Sequence, residues 1–213
     1  MIPLLLWRCP LCAANDALVH VARRFRADRV YCRACRAEWR LRRVPGDNFY
    51  LRLVGTRDER SVTAWYDAMK ATLCLEPLHD PAAALEAGEA LYLASGPAAL
   101  QAEATDPLFF TAPEPRHKAA KSQIEGRSVG RGRLFLTDRR LTWLGEENTA
   151  SWSLARLNSA YAAMDIGLAL MVERRLYTVH FFEESLLKWV TYVALVAPLV
   201  EAKTGHRIET SHF

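Results

Sequence analysis

Two pairs of closely spaced cysteines constrain this chain more than any other sequence feature. Cys9 and Cys12 form one CxxC pair, Cys32 and Cys35 form a second, and nineteen residues separate the two pairs. A CxxC turn directs two thiolates at one ion, and two such turns complete a tetrahedral site. This spacing is typical of structural zinc, so we predict that Cys9, Cys12, Cys32 and Cys35 bind one Zn²⁺ ion.

Iron in a rubredoxin-like site and a redox-active dithiol are the alternatives to zinc. The redox interpretation needs a βαβ pattern around the cysteines, and the sequence shows none. Four cysteine ligands leave no open coordination position, which argues against a catalytic metal. We therefore expect the ion to replace part of the hydrophobic core that the first 46 residues are too few to build.

The segment that carries the cysteines, residues 5–55, resembles a zinc ribbon, with Cys9-Pro10-Leu11-Cys12 as its first knuckle. The alternating residues after the second cysteine pair predict a hairpin that turns at Pro45-Gly46-Asp47. In ribbons the residue that follows the second cysteine of a knuckle is often glycine, because the turn favours a positive φ. This chain has Ala13 and Arg36 at those two positions.

The second half of the chain carries a motif of a different kind. Residues 132–143, GRLFLTDRRLTW, form a strand, a polar turn and a returning strand. This motif resembles the signature of the GRAM branch of the pleckstrin-homology-like superfamily. The resemblance covers about residues 84–204 and implies a strongly bent seven-stranded sheet, with one carboxy-terminal helix closing an open corner.

Together these patterns predict a mainly β fold with helices, of the α+β class. We expect a zinc ribbon at residues 1–55, a linking helix within 56–83 and a pleckstrin-homology-like domain at 84–213. The linking helix begins at Ser61, a favourable capping residue. The last helix is expected from Glu183 to about Lys203 and carries two adjoining apolar stripes, so we expect burial on two sides.

Charge is distributed unevenly and suggests anionic partners. Residues 1–46 contain ten arginines and three acidic residues, whereas residues 47–115 contain four basic and eleven acidic residues. Arginines between the cysteine pairs could bind nucleic acid, with candidates at Arg23, Arg24, Arg26 and Arg29. Basic residues in the second half could bind an anionic lipid or phosphate, with candidates at Arg116, Lys118, Lys121, Arg127, Arg131 and Arg133.

No catalytic motif is present: the six histidines are scattered, and the sequence has no GxSxG, phosphate-binding or dinucleotide-binding pattern. We therefore expect a non-catalytic adaptor that binds protein partners, with recruitment to anionic membrane as an added option. The alternatives are a nucleic-acid-binding protein and a structural subunit of a larger bacterial assembly, as a homo-oligomer or in a complex. Two CxxC pairs plus one odd cysteine, Cys74, do not resemble a secreted disulfide framework, so we expect a cytoplasmic location. The apolar runs are too short for a transmembrane segment, and any membrane contact is expected to be peripheral.

Overall fold

The computed structural model describes residues 5–24, 27–45, 48–103, 127–163 and 167–212. The chain divides into two compact units, Met1–Cys74 and Leu75–Phe213. In the described residues, each unit contains one β-sheet and one long α-helix, and the second unit also has a short 3-10 helix at Leu154–Arg156. This architecture confirms the predicted class, mainly β with helices.

The first unit is a five-stranded antiparallel sheet followed by a helix. Its strands are hydrogen-bonded in sequence order. They are β1 (Leu18–Val21), β2 (Arg29–Cys32), β3 (Glu38–Val44), β4 (Asn48–Leu53) and β5 (Glu59–Ser61), and helix α1 spans Val62–Lys70.

One face of this sheet and one face of α1 form a shared core. Val30 and Leu53 both pair with Trp39, and the alternation of each strand directs Val30, Trp39 and Leu51 inward, where they are buried. Ser61 caps α1, with its hydroxyl accepting from the Ala64 amide at 3.1 Å. The buried Trp65 donates its indole N–H to the Leu51 carbonyl at 2.9 Å. The helix thus completes the core of the sheet.

The division into two units differs from the three segments expected from the sequence. The expected linking helix belongs to the first unit, which ends at Cys74. The physical reason is burial, because Trp65 and Met69 lie one helical turn apart and are both almost inaccessible to solvent. The amide of Arg8 also donates to the Met69 sulfur at 3.3 Å.

The second unit contains a nine-stranded sheet in the described residues and a long helix. The strands are β6 (Leu91–Ala94), β7 (Ala98–Glu103), β8 (Arg127–Thr137), β9 (Arg140–Gly145), β10 (Thr149–Ser153), β11 (Leu157–Ala163), β12 (Gly167–Val172), β13 (Arg175–Phe181) and β14 (Glu209–His212). Helix α2 spans Leu186–Thr204, and the strand order is β10-β9-β8-β7-β13-β12-β11-β14, with β6 also paired to β8.

The nine strands extend the expected set of seven in two ways. First, β6 and β7 pair with successive parts of β8, residues 135–137 and 127–132, and so act as one interrupted strand. Second, β14 follows the helix and pairs parallel to β11. When β6 and β7 are counted as one strand and β14 is left out, seven antiparallel strands form a continuous sheet from β10 to β11.

Helix α2 has one cap at each end. The Ser185 hydroxyl accepts from the Lys188 amide at 3.3 Å, and Gly205 ends the helix with a φ of 73°. The helix begins after the expected Glu183, because Glu184 accepts from the Trp189 indole at 3.1 Å and pairs with Lys188 at 2.8 Å. Both apolar stripes contribute buried residues, and α2 packs against β11, β12 and β14.

The polar turn of the 132–143 motif forms a buried network around one carboxylate. The side chain of Glu89 is inaccessible to solvent and accepts hydrogen bonds from the Thr137 hydroxyl at 2.7 Å and from the Arg140 guanidinium at 2.7 and 2.9 Å. Asp138 accepts from the Ala90 amide at 3.0 Å and pairs with Lys203 at 3.0 Å. The motif therefore fastens the β8–β9 turn to the chain that precedes β6.

The glycine that opens the motif is explained by an aromatic ring. Gly132 pairs with Gly145 across β8 and β9, and the buried Trp143 lies beside both glycines. A Cβ on Gly132 would lie 2.3 Å from the Leu144 carbonyl oxygen and 2.7 Å from the Trp143 ring. No side chain fits there without displacing backbone.

We predict that Gly132→Ala lowers the free energy of unfolding of the second unit by about 3 kcal/mol, because the new methyl overlaps backbone atoms. Gly205→Ala is the control, because its Cβ would meet nothing within 4 Å and only its left-handed backbone is strained. That control should cost about 1 kcal/mol. Urea denaturation checks both, and equal losses would contradict the packing argument.

We also predict that acid weakens the second unit through Glu89. Burial raises the pKa of this carboxyl, but hydrogen bonds from the Glu86 amide, Arg140 and Thr137 outweigh it and hold the pKa below 4.5. The stabilisation is therefore complete above pH 4.5 and is lost as the pH falls through the lowered pKa. Glu89→Gln should cost about 3 kcal/mol at pH 7.

Melting temperatures measured from pH 7 to pH 3 check this prediction. Glu89→Gln should flatten the acid limb of the profile, whereas Glu183→Gln, at an exposed position, should keep the wild-type profile. Parallel profiles for wild type and Glu89→Gln would contradict it.

Candidate metal centre

The two cysteine knuckles adopt the same backbone turn. In the first, the Cys9 amide donates to the Ala14 carbonyl and the Ala13 amide to the Cys9 carbonyl, both at 2.9 Å. In the second, the Cys32 amide donates to Ala37 at 2.8 Å and the Arg36 amide to Cys32 at 3.0 Å. The repetition shows that both CxxC sequences fold locally in one way.

The residues at the expected glycine positions have left-handed backbones. Ala13 has a φ of 59° and Arg36 a φ of 65°. A non-glycine residue in the left-handed region costs about 1 kcal/mol of conformational free energy. The hydrogen bonds of the turn and metal binding by the cysteines would offset that cost at both knuckles. The departure from glycine therefore leaves the turn geometry unchanged.

The strands bring the two knuckles together. An antiparallel bridge between Arg8 and Asn15 flanks the first knuckle, and the second lies between β2 and β3. The Arg33 amide, in the second knuckle, donates to the carbonyl of Ala17, just beyond the first knuckle, at 2.8 Å. Backbone hydrogen bonds thus fix the separation of the two cysteine pairs.

The four sulfur atoms form one compact cluster, within 4.8 Å of one another. The Sγ atoms of Cys9 and Cys35 are 3.8 Å apart, and those of Cys12 and Cys32 are 3.7 Å apart. A tetrahedral ion with metal–sulfur bonds of about 2.3 Å requires an S–S edge of roughly 3.8 Å. The cluster fits one four-coordinate ion such as zinc, and its sulfur separations are far longer than a disulfide bond.

Backbone amides and burial set the electrostatics of the cluster. Cys9 and Cys32 are buried, whereas Cys12 and Cys35 are exposed. Burial raises the pKa of Cys9 despite hydrogen bonds from the amides of Cys12 and Leu11, and burial also raises the pKa of Cys35. At Cys12 burial is outweighed by hydrogen bonds from the Ala14 amide and the other thiols, which lower the pKa to about 7.

The pKa of Cys12 is thus lowered while those of Cys9 and Cys35 are raised, so negative charge in the cluster is favoured at Cys12. A single thiolate is stabilised by its neighbours, but four adjacent thiolates need a cation among them. A divalent ion would meet that need and displace the remaining protons. An ion bound by all four cysteines would have no open position for a substrate, which is the arrangement of structural sites.

The six lipid or phosphate candidates do not form one site in the described residues. Arg116, Lys118 and Lys121 lie outside the described residues, and for Arg127 only the strand backbone is described. Arg133 is used internally, where it pairs with Asp80 at 2.6 Å, lowering the pKa of that carboxyl, and donates to the Ser95 carbonyl at 2.8 Å. Arg131 is exposed, with its guanidinium 5.7 Å from the Phe182 ring.

Three of the four nucleic-acid candidates, Arg23, Arg24 and Arg29, lie in or next to the β1–β2 turn. Arg26 lies outside the described residues. Arg29 pairs with Glu38, and the Arg23 amide donates to the Asp28 carboxylate at 2.9 Å, as part of the β1–β2 turn. Arg24 is exposed in the same turn.

Strand register places one of these candidates, Arg29, in a row with two further arginines, a grouping that the sequence alone did not reveal. Arg29 pairs with Arg40, and Arg40 pairs with Arg52, across β2, β3 and β4. Their common signal is alternation: each occupies an outward position of its strand. Finding the row from the sequence would have required the register of three strands.

No protein-family profile matches the chain, and no curated protein is significantly similar to it. Among the described residues, no helix has both the length and the apolar character of a membrane span.

We predict that the purified chain carries one metal ion and that Cys32→Ser abolishes its binding. Metal binding contributes on the order of 10 kcal/mol to the folding of such small sites, so the first unit should unfold when the ion is lost. Cys74→Ser is the matched control, because Cys74 lies outside the cluster. Elemental analysis and chelator melts test this; a metal-free protein, or melting that chelation leaves unchanged, would contradict it.

Proposed function

We propose that this chain is a non-catalytic adaptor made of a zinc-ribbon module and a pleckstrin-homology-like module of the GRAM type. The ribbon assignment is supported by two matched knuckles and a sulfur cluster with tetrahedral spacing. The second assignment is supported by the seven-stranded antiparallel sheet, the closing helix and the 132–143 motif at β8–β9.

An exposed apolar groove in the second unit carries the adaptor function. It has a volume of about 440 Å³ and is lined by Pro97, Arg131, Leu144 and Phe182, among others. Phe182 is 55% exposed and Leu144 is 38% exposed. Large apolar side chains that remain exposed together favour a protein contact. The Arg131 guanidinium beside Phe182 favours a partner segment with an apolar residue next to an acidic one.

We predict that Phe182→Ser reduces capture of the protein partner by the 213-residue chain at least tenfold, because the groove loses a large apolar side chain that is 55% exposed. Leu199→Ser is the control, since Leu199 is 39% exposed and lies on α2, outside this groove. Quantitative affinity purification of the three tagged chains from their native cells measures the effect.

Equal capture by wild type and Phe182→Ser would contradict the groove as the partner site. Flotation with vesicles that contain or lack anionic lipid tests recruitment to membrane separately. Light scattering distinguishes an adaptor that is monomeric alone from a subunit that forms a stable homo-oligomer.

A further inference from the structure

A row of three arginines crosses the outer face of the first unit's sheet. Arg29, Arg40 and Arg52 occupy directly opposed positions on β2, β3 and β4. The opposite face of the same strands carries the buried core residues Val30, Trp39 and Leu51. The arginines therefore lie on the face that points away from the core.

Like charges in such a row repel, because neighbouring strands lie only about 4.8 Å apart. Arg29 is balanced by Glu38. Arg52 donates to the Thr56 carbonyl at 3.4 Å and lies opposite Glu59 on β5, whose carboxylate accepts from Arg42 at 2.9 Å. Arg40, at the centre, is exposed and makes no ion pair among the described residues. Because Arg40 lies between two other arginines and has no carboxylate partner among the described residues, it is available to bind an anion.

Two tyrosines lie on the same outer face, next to this row. Tyr31 follows Arg29 by two positions on β2, and Tyr50 precedes Arg52 by two positions on β4. Both rings are partly exposed, and the guanidinium of Arg42 lies 5.7 Å from the Tyr50 ring. Aromatic rings between guanidinium groups provide stacking surfaces beside anion ligands.

Charge is also segregated between the two units. Residues 1–74 contain 14 basic and 7 acidic residues, whereas residues 75–213 contain 14 basic and 17 acidic residues. The excess of positive charge thus belongs to the unit that carries the row. It would attract a polyanion over a distance set by the salt concentration.

We propose that the outer face of β2, β3 and β4 binds single-stranded nucleic acid, with Arg29, Arg40 and Arg52 on phosphates and Tyr31 and Tyr50 stacked on bases. Guanidinium groups bind phosphate oxygens in pairs, and a β-sheet face suits splayed single strands better than a duplex. This site is independent of the groove assigned to the adaptor function.

An acidic protein segment is less well matched to this face. Outward positions of the three strands hold arginine, tyrosine and glutamate, apart from Val44 and Asn48 at the hairpin end. Protein interfaces usually have an apolar centre, and here the centre of the face is Arg40.

Fluorescence anisotropy of the zinc-loaded 213-residue chain tests the proposal, with labelled 15-nucleotide RNA and DNA of mixed sequence. We expect binding that weakens with salt, with a slope of about −2 in log affinity against log salt for three phosphate contacts. Arg40→Gln should reduce the magnitude of that slope by about 0.7. Tyr50→Leu should weaken binding roughly tenfold, and Tyr50→Phe should retain it, because the ring provides the stacking.

Arg57→Gln is the matched control, since Arg57 is exposed in the turn between β4 and β5 and outside the row. Metal content and circular dichroism confirm that each variant is folded. The proposal is overturned if neither the RNA nor the DNA binds at low salt, or if Arg57→Gln and Arg40→Gln weaken binding equally. It is also overturned if poly-glutamate competes for the site as well as unlabelled RNA does. The last result would assign the face to an acidic protein.

Discussion

The convergence of four thiols is the interaction on which the first unit depends. Two knuckles with identical hydrogen bonds bring Cys9, Cys12, Cys32 and Cys35 to tetrahedral spacing, although residues in both turns must adopt left-handed backbones. Four adjacent thiols cannot all ionise without a cation, so a bound divalent ion and the fold would stabilise each other. The small core of Val30, Trp39, Leu51 and Trp65 covers one face of the sheet. The opposite face of β2, β3 and β4 can therefore carry charged side chains.

A different interaction organises the second unit. Its sheet is large enough to be stabilised by apolar burial, yet the β8–β9 turn is held by a buried carboxylate. Glu89 accepts from Thr137 and Arg140, and Asp138 joins the same turn to Lys203 near the end of α2. Buried charges are costly unless they are paired, and such pairing specifies where this turn lies. Gly132 and Trp143 fix the register beside it, because no larger residue fits under the ring.

The described arginines have distinct roles that cannot be told from the count of arginines in the sequence. Arg140 and Arg133 are partners of carboxylates within the second unit, whereas Arg40 is left without one on an exposed face. An arginine that supports a buried acid contributes to the fold, and an unbalanced arginine between two others is available for a ligand. This distinction separates the proposed nucleic-acid face from the wider set of basic residues, and it leaves the Phe182 groove as the apolar contact surface.

The sequence by itself determined the four cysteines of the candidate metal centre, the class of fold, the cap of α1 and the turn at the 132–143 motif, because each depends on residues close together in the chain. The cysteines are identified by their CxxC spacing, and the strands by alternation. Only the tertiary structure decided that α1 belongs to the first core, that Glu89 is the partner of Arg140, and that Arg29, Arg40 and Arg52 form one row. These contacts join positions far apart in sequence, and strand register and packing, which local patterns do not specify, bring them together.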